Sequence, residues 1–470
     1  CSVDLDHVGC TIVTELLEGH LAMATDLHVE RQQGAQARAV PEPYVPTGAD
    51  RTRFQYVNET IDKLVGERRT PLYDSVVIVG GLGITAHTFA ARLARSPEFA
   101  GNVVLAGPPA REDRRLKAGV SLRAASADFL AYALNTSTDA VVRQCAGSHR
   151  ADQPVAFRQT ASMAYKDGQG SWRATRVEPW QGGRHGKKRP GMYGFRNSRT
   201  ALAIRELAFQ DGIIEKQEPV TSLEHARSLA TGRRPLIVNV TTNGGLLGNE
   251  TYTPTAGVVA AQMPFKERPG GVRGPLEPRT TYAPLVNREG AIDVGYYTPF
   301  SDPLSPEATW YGIMARPLRL RKPFDKEREL DILVEETLGL GELMGLDPVD
   351  PDETTGRAFV PAPPPRAPKG SAPGTLELRR ACTPFVAAYY ADGMTGGTIG
   401  ATIAAEAVLR GQDPYPAVAR ALAGYRRWNY AWYVETVHLP MVVDRLMRIS
   451  VRGAMLWPHR TAVNHWFSRA

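Results

Sequence analysis

Two short runs in this 470-residue sequence combine residue types and spacings that can do chemistry. The first is Gly81-Leu82-Gly83-Ile84-Thr85-Ala86, which fits the pattern GxGxxA. In such a run the first glycine permits a tight turn, and the second lets a diphosphate come up against the backbone. A small third residue, here Ala86, lets a helix pack closely on a strand. The helix start then offers free N–H groups and the positive end of its dipole to the phosphates. The second run is Asp392-Gly-Met-Thr followed by Gly396-Gly397-Thr398-Ile399-Gly400, an acid leading into a glycine-rich turn. Helix capping or an ordinary turn is the structural explanation for such an acid. No Ser-His-Asp or metal constellation is readable, because the ten histidines are dispersed. The four cysteines, Cys1, Cys10, Cys145 and Cys382, form no CxxC pair and no zinc spacing, so neither a metal site nor a disulfide framework is expected.

The first run has the elements it needs on both sides. Asp74–Gly80 (DSVVIVG) is an apolar stretch bounded by glycine and reads as a fully buried strand. Ala86–Ser96 has helical spacing, and Asn102–Leu105 reads as a second buried strand. Strand, helix and strand within about 30 residues make one βαβ unit. The partner acid expected ~20 residues on, for an adenosine ribose, is missing. The second strand ends in Ala106-Gly107-Pro108 instead. Glu112 or Asp113 reaching back, or a 2′-phosphate taken by Arg111, Arg114 and Arg115, are open alternatives, and a solvated charge run accounts for these residues equally.

Further along, Ala124–Leu134 and the stretch 197–211 have helical spacing, and Leu236–Thr242 (LIVNVTT) reads as a short buried strand. Gly257–Met263, Ala291–Tyr297 and Trp310–Ala315 read as strands without helices between them, which implies an antiparallel sheet distinct from the parallel one. Phe324–Gly345 is expected to be a helix, Pro361–Gly374 a stiff connector, Phe385–Tyr390 a last buried strand and Ala401–Arg410 a helix. Candidate helices Thr11–Leu27 and Arg51–Val65 make up an N-terminal extension, read as a dimerisation arm or a loosely ordered segment.

Phe385–Gly400 with Ala401–Arg410 resembles the C-terminal FAD motif of the geranylgeranyl-reductase and para-hydroxybenzoate-hydroxylase superfamily. In that family a strand ends in an Asp that hydrogen-bonds the ribityl chain, and a glycine-rich turn starts a helix facing the flavin's pyrimidine edge. The resemblance puts Asp392 in the ribityl role and Gly396, Gly397, Thr398, Ile399 and Gly400 in the turn, where a helix N-terminus stabilises the anionic reduced flavin. Leu236–Thr242 resembles the family's mid-chain strand, and Arg199, Leu202 and Leu207 its Arg-x-x-Leu helix. The resemblance covers 73–125, 195–245 and 380–412, all cofactor scaffold. It implies FAD, with Gly81, Leu82, Gly83, Ala86 and Arg123 joining the binding set, and NAD(P)H as reductant. Val294–Phe300, with Tyr296 and Tyr297, lies about where geranylgeranyl reductases carry a cavity-lining aromatic strand, and core packing is the alternative. Departures are equally plain. The mid-chain Asp-Gly motif of aromatic hydroxylases is absent, as is the Trp-x-Trp-x-Ile-Pro signature of flavin halogenases, and Lys117 has the wrong surroundings for a halogenase lysine.

The fold class expected is α/β, a discontinuous Rossmann-like FAD domain with a parallel sheet plus a substrate domain of antiparallel sheet and helices. The FAD domain is expected from 73–125, 195–250 and 375–414, the substrate domain from 126–194 and 251–374, with 1–72 an extension and 415–470 a C-terminal helical region. The function implied is that of an FAD-dependent monooxygenase or reductase tailoring a hydrophobic or polycyclic small molecule. A redox-neutral cyclase that retains FAD and an NAD(P)-dependent dehydrogenase without flavin remain alternatives. Catalytic residues are not assigned. His87, Asn239, Asp302, Arg196 and Arg199 each have a structural role open to them beside a site role.

The net charge of +7 arises from scattered cations, often beside acids, and not from a basic face with interleaved aromatics, so no nucleic acid partner is expected. No signal peptide is evident, and no apolar run reaches the ~18–20 residues of a spanning helix. A soluble, cytoplasmic monomer or homodimer is the expectation. The Trp-, Tyr- and Arg-rich stretch Tyr415–Ala470 leaves room for peripheral membrane contact, with packing over the core the favoured role.

Overall fold

The computed structural model describes residues 44–80, 83–107, 119–146, 158–166, 169–174, 178–180, 192–196, 203–208, 213–241, 256–271, 280–288, 291–299, 307–320, 323–350, 356–361, 372–383, 393–442 and 445. At its centre is β1 (Ser75–Val79), five residues all buried. With strands numbered in chain order, β1 is flanked in parallel by β2 (Asn102–Ala106) and β9 (Pro235–Asn239). β8 (Ile214–Lys216) extends the sheet beyond β2, and β16 (Thr375–Glu377) extends it beyond β9, for an order β16-β9-β1-β2-β8. Strands buried on both faces need a continuous apolar run, and SVVIV, NVVLA and PLIVN supply it.

Helices cover both faces. Ile84–Ala94, Ala124–Ala133 and Ala401–Leu409 pack in one large core with Val76, Ile78, Val103 and Leu105. Leu223–Ser228 covers the other face through Ala226, against Val77, Val79 and Ile237. The helix Gly48–Val65 belongs to the large core as well, because Phe54, Val57, Ile61 and Val65 recur at helical spacing and are all buried there. It is an integral layer of the body and not a loosely attached arm. The expected helix Thr11–Leu27 and strand Phe385–Tyr390 lie outside the described residues.

Among the described residues the second sheet has nine strands, four of them short: β5 (Trp172–Ala174), β6 (Glu178–Trp180), β14 (Leu346–Pro348) and β15 (Gly356–Pro361). The order is β14-β10-β13-β12-β11-β4-β5, with β15 also on β10 and β6 also on β4. Its long members are β4 (Arg158–Lys166), β10 (Ala256–Glu267), β11 (Thr280–Arg288), β12 (Ala291–Pro299) and β13 (Trp310–Arg319). All pair antiparallel except β4, which runs parallel to β11. The helix Lys326–Leu343, capped by Asp325 through the Glu327 and Arg328 amides, lies on one face. There Leu330, Leu333 and Leu340 pack on Phe265, Tyr297, Trp310 and Met314. The helix Ala423–His438 lies against β12 and β13 and reaches back into the first core through Tyr425. A small antiparallel pair, β3 (Gly119–Arg123) with β7 (Met192–Arg196), completes the framework.

Candidate functional site

The site is built where β1 ends. Gly80 has φ +94, a conformation that side-chain-bearing residues rarely adopt, and its amide donates to the Ala106 carbonyl at 2.8 Å. A Cβ on Gly80 would fall 2.2 Å from Thr241 Cγ2. This glycine therefore joins the ends of β1, β2 and β9, although the pattern in the sequence draws attention to its successors. Three glycines in four residues were the available signal. Gly81 and Leu82 lie outside the described residues.

Gly83 caps the helix Ile84–Ala94 in an extended conformation (φ −95, ψ 159). It is exposed, and among the described residues nothing lies within 4 Å of where its Cβ would be. The first N–H groups of any helix have no intrahelical acceptor, so this open start is chemically suited to an anion. Ala86 faces inward, fully buried. His87 has Nδ1 3.1 Å from the Gly83 carbonyl, which its amide also reaches at 3.2 Å. Burial pushes its pKa down to about 4, so the imidazole stays neutral at ordinary pH and braces the turn.

The late glycine run differs from expectation. Gly396–Gly400 is not a turn ahead of a helix at Ala401. Among the described residues the helix is continuous from Gly393 through a π-helical turn at Gly396–Gly400 to Leu409. Such a turn lodges an extra residue inside a helix, and glycines here let it sit against its neighbours. A Cβ on Gly397 would lie 2.6 Å from Thr85 Oγ1, and one on Gly400 2.7 Å from Cys382 Sγ. Gly400 is thus required by packing. Thr398 turns its hydroxyl onto the Met394 carbonyl at 2.9 Å, and Ile399 is in the core. Their side chains are committed to the helix and its surroundings. At Gly393 no atom among the described residues lies within 4 Å of where a Cβ would be. Asp392, immediately before it, lies outside the described residues.

The start of the helix Ile84–Ala94 and the glycine helix are therefore brought together by the Gly397–Thr85 contact, though 312 positions separate the two residues in the sequence. Arg123 joins them. It ends β3, precedes the helix Ala124–Ala133, and is buried with its guanidinium 5.5 Å from the Tyr425 ring centre. β3 lies beside the turn Gly393–Thr395.

Asn239 is structural. Its Nδ2 donates to Glu377 Oε2 at 3.0 Å, and its Oδ1 accepts from the Thr241 amide and hydroxyl at 2.9 and 2.8 Å. The Glu377 amide donates in turn to the Tyr415 hydroxyl at 2.8 Å. This buried network fixes the turn after β9, which is the wall behind Gly80. Beside the end of β2, the Gly107 amide donates to the Lys216 carbonyl at 3.1 Å, so β8 places a lysine next to Ala106.

On the antiparallel sheet, Tyr296 and Tyr297 project to opposite faces, as neighbours in a strand must. Tyr297 is packed under the helix Lys326–Leu343, its ring 5.8 Å from that of Phe265 and its hydroxyl donating to the Thr337 carbonyl at 2.5 Å. It cannot line a cavity, which corrects the pairing of the two tyrosines. Tyr296 shares the inner face with Thr298, Tyr311 and Ile313, the face on which the helix Ala423–His438 lies. Beneath the sheet Arg288, Asp293, Arg316, Glu329 and Glu336 form a buried charge cluster. Arg288 Nε is 2.8 Å from Asp293 Oδ2 and 3.4 Å from Glu336 Oε1, and Arg288 Nη2 is 3.0 Å from Glu329 Oε2. Arg316 reaches Asp293 and Glu329 at 3.5 Å each. Burial, and then the charge of Asp293, push the Glu336 carboxyl up to about 9, while burial raises Asp293 as well. Lys117, Arg199 and Asp302 lie outside the described residues, and Arg196 ends β7.

No family model and no curated sequence matches the chain. Solved structures do resemble it. CtdE, in a crystal structure with FAD and its substrate 4, is 12% identical over 83% of this chain and 96% of its own, with a TM-score of 0.47. The tetrameric form of 2-methyl-3-hydroxypyridine-5-carboxylic acid oxygenase is 12% identical over 84% and 99%, TM-score 0.45. BrvH, a flavin-dependent halogenase from Brevundimonas sp. BAL3, is 14% identical over 83% and 82%, TM-score 0.43. Likeness at this level concerns the course of the chain, and fold alone carries no activity with it.

Proposed function

We propose that this chain is a flavin-dependent oxidoreductase that holds FAD at the C-terminal edge of the parallel sheet and acts on a hydrophobic or polycyclic small molecule, with oxygenation favoured over reduction. The observation that supports this best is the junction of Gly397 with Thr85, which sets the glycine helix beside the open start of the helix Ile84–Ala94. A dinucleotide has an anionic diphosphate to place at such a start, and Gly83 leaves it free of any Cβ.

In this reading the 81–83 turn and the first turn of Ile84–Ala94 hold the diphosphate, and the small Ala86 keeps that helix close to β1. Arg123 adds a fixed cation, Asp392 takes the ribityl chain, and the helix from Gly393 offers its start to the ring system. Bound there, FAD would supply the redox chemistry, accepting reducing equivalents from NAD(P)H and activating dioxygen. The protein's own part is to bind, orient and exclude water. Tyr296 on the inner face, opposite the helix Ala423–His438, is the side chain assigned to the substrate. Among the described residues no helix is long and apolar enough to cross a membrane. A cytoplasmic setting, monomeric or dimeric state and secondary-metabolite substrates belong to the same proposal.

The test is direct. After saturation with FAD and desalting, the purified chain is expected to retain absorbance bands near about 370 and about 450 nm, from the cofactor's own chemistry. A folded chain that retains neither band overturns the proposal. Asp392→Ala is expected to weaken FAD binding, and unchanged affinity removes the ribityl assignment. Stopped-flow mixing of the loaded protein with NADPH separates a redox enzyme, whose 450 nm band bleaches, from a redox-neutral cyclase.

A further inference from the structure

The helix Ala423–His438 bridges the two sheets. Near its start Tyr425 sits in the first core and receives Arg123. At its end the Val437 carbonyl accepts a hydrogen bond from Arg319 of β13 at 3.1 Å. Arg426 lies in its first turn and is only 8% exposed. Its Nη2 donates to the Ala381 carbonyl at 2.7 Å, while Nε and Nη1 are buried with no acceptor among the described residues. Among those residues the titratable group acting on it is Cys382, and burial pushes that thiol up to about 12, so it stays neutral.

Several other arginines among the described residues meet acids. Arg92 is on Glu406, Arg288 and Arg316 are on Asp293, and Arg410 is on Asp62 at 2.8 Å and Glu406 at 3.6 Å. A guanidinium cannot escape burial by losing its proton, and a buried N–H left unbonded is destabilising. A cation kept in this state lacks an anionic acceptor from outside the chain. The position is also informative. Gly400 of the glycine helix rests on Cys382 Sγ, next to the Ala381 carbonyl that Arg426 bonds.

We propose that Arg426 anchors an oxyanion subsite, and that the molecule received there carries a carboxylate or a phosphate. The subsite goes beyond the flavin reading and does not depend on it. A cofactor phosphate and a substrate carboxylate are two sources of the same chemistry.

Isothermal titration of the full chain at constant ionic strength, with inorganic phosphate and with benzoate as the probes, tests it. The parent is expected to bind at least one of them saturably at one site. Arg426→Gln is expected to weaken that binding about 10–100-fold, the loss of a charge-assisted contact. Arg427→Gln, which changes the exposed neighbour, is expected to leave it unchanged. Loss of phosphate binding on loading with FAD assigns the oxyanion to the cofactor, and benzoate binding that survives loading assigns it to the substrate. A chain that takes no FAD yet binds benzoate through Arg426 sustains the subsite and sinks the flavin reading. No saturable binding by the parent, or unchanged affinity in Arg426→Gln, overturns the proposal. Should that variant not fold, Arg426→Lys keeps the charge but not the planar fork, and unchanged affinity there overturns it equally.

Discussion

Glu336 offers a quantitative test of how the antiparallel layer is held. Three carboxylates, Asp293, Glu329 and Glu336, face two arginines, Arg288 and Arg316, in a buried space between sheet and helix. Two positive charges cannot balance three negative ones, so one proton stays. It belongs on Glu336, which is pushed up to about 9 from 4.5, first by burial and then by Asp293. The unfolded chain gives up that proton near the ordinary carboxylate range, whereas the folded chain keeps it. The stability tied to this proton is complete below about pH 4.5, declines as pH rises and is lost above the folded value. One proton taken up on folding sets a slope of about 1.4 kcal/mol per pH unit, or roughly 2.7 kcal/mol between pH 6 and pH 8. Glu336→Gln is close in size and offers an N–H to Asp293 at every pH. Urea unfolding followed by tryptophan fluorescence at both pH values is expected to show the parent losing about 2–3 kcal/mol more than the variant over this interval. Equal losses in parent and Glu336→Gln would refute the single-proton account.

Two further outcomes follow from the geometry. Gly397→Ala places a methyl group 2.6 Å from Thr85 Oγ1 and is expected to destabilise the fold by about 1–3 kcal/mol, with weaker FAD binding. Adding Thr85→Ala is expected to restore much of both, because the next Thr85 atom is 3.8 Å away, and a thermal-melt double-mutant cycle without coupling would show that the helices do not meet there. Tyr297→Phe loses a buried hydrogen bond to Thr337 and is expected to cost about 0.5–1.5 kcal/mol in denaturant melts while leaving substrate affinity unchanged. Tyr296→Ala is expected to act on substrate affinity instead, and equal effects of the two substitutions on affinity would contradict the opposite-face assignment.

Local pattern was enough for the βαβ unit and for the antiparallel strands. SVVIV, NVVLA and the helix starting by Ala86 are legible because burial on both faces demands an unbroken apolar run, and because glycine at a strand end has few other uses. The three-residue strands β8 and β16, at the two edges of the parallel sheet, were not legible. Three residues carry no periodicity, and only their partners define them. The helix Gly48–Val65 was visible as a helix, but its place in the core was not. The late glycine run was misread at one point for a related cause. Glycines that look like a turn can equally serve close packing, and Thr85 and Cys382, far off in sequence, decide between the two.

The amino-acid sequence by itself determined the two-sheet α/β plan, the dinucleotide-type turn and the acid-plus-glycine motif that resembles an FAD site. These depend on residue types a few positions apart. Tertiary structure decided that the glycine helix meets the start of the helix Ile84–Ala94 at Gly397 and Thr85, and that Tyr296 and Tyr297 serve different faces. It also decided that Arg426 is buried without an acid among the described residues, and that burial beside Asp293 raises the Glu336 carboxyl. Each of those facts depends on which distant groups exclude water from a side chain, and one-dimensional spacing does not contain that.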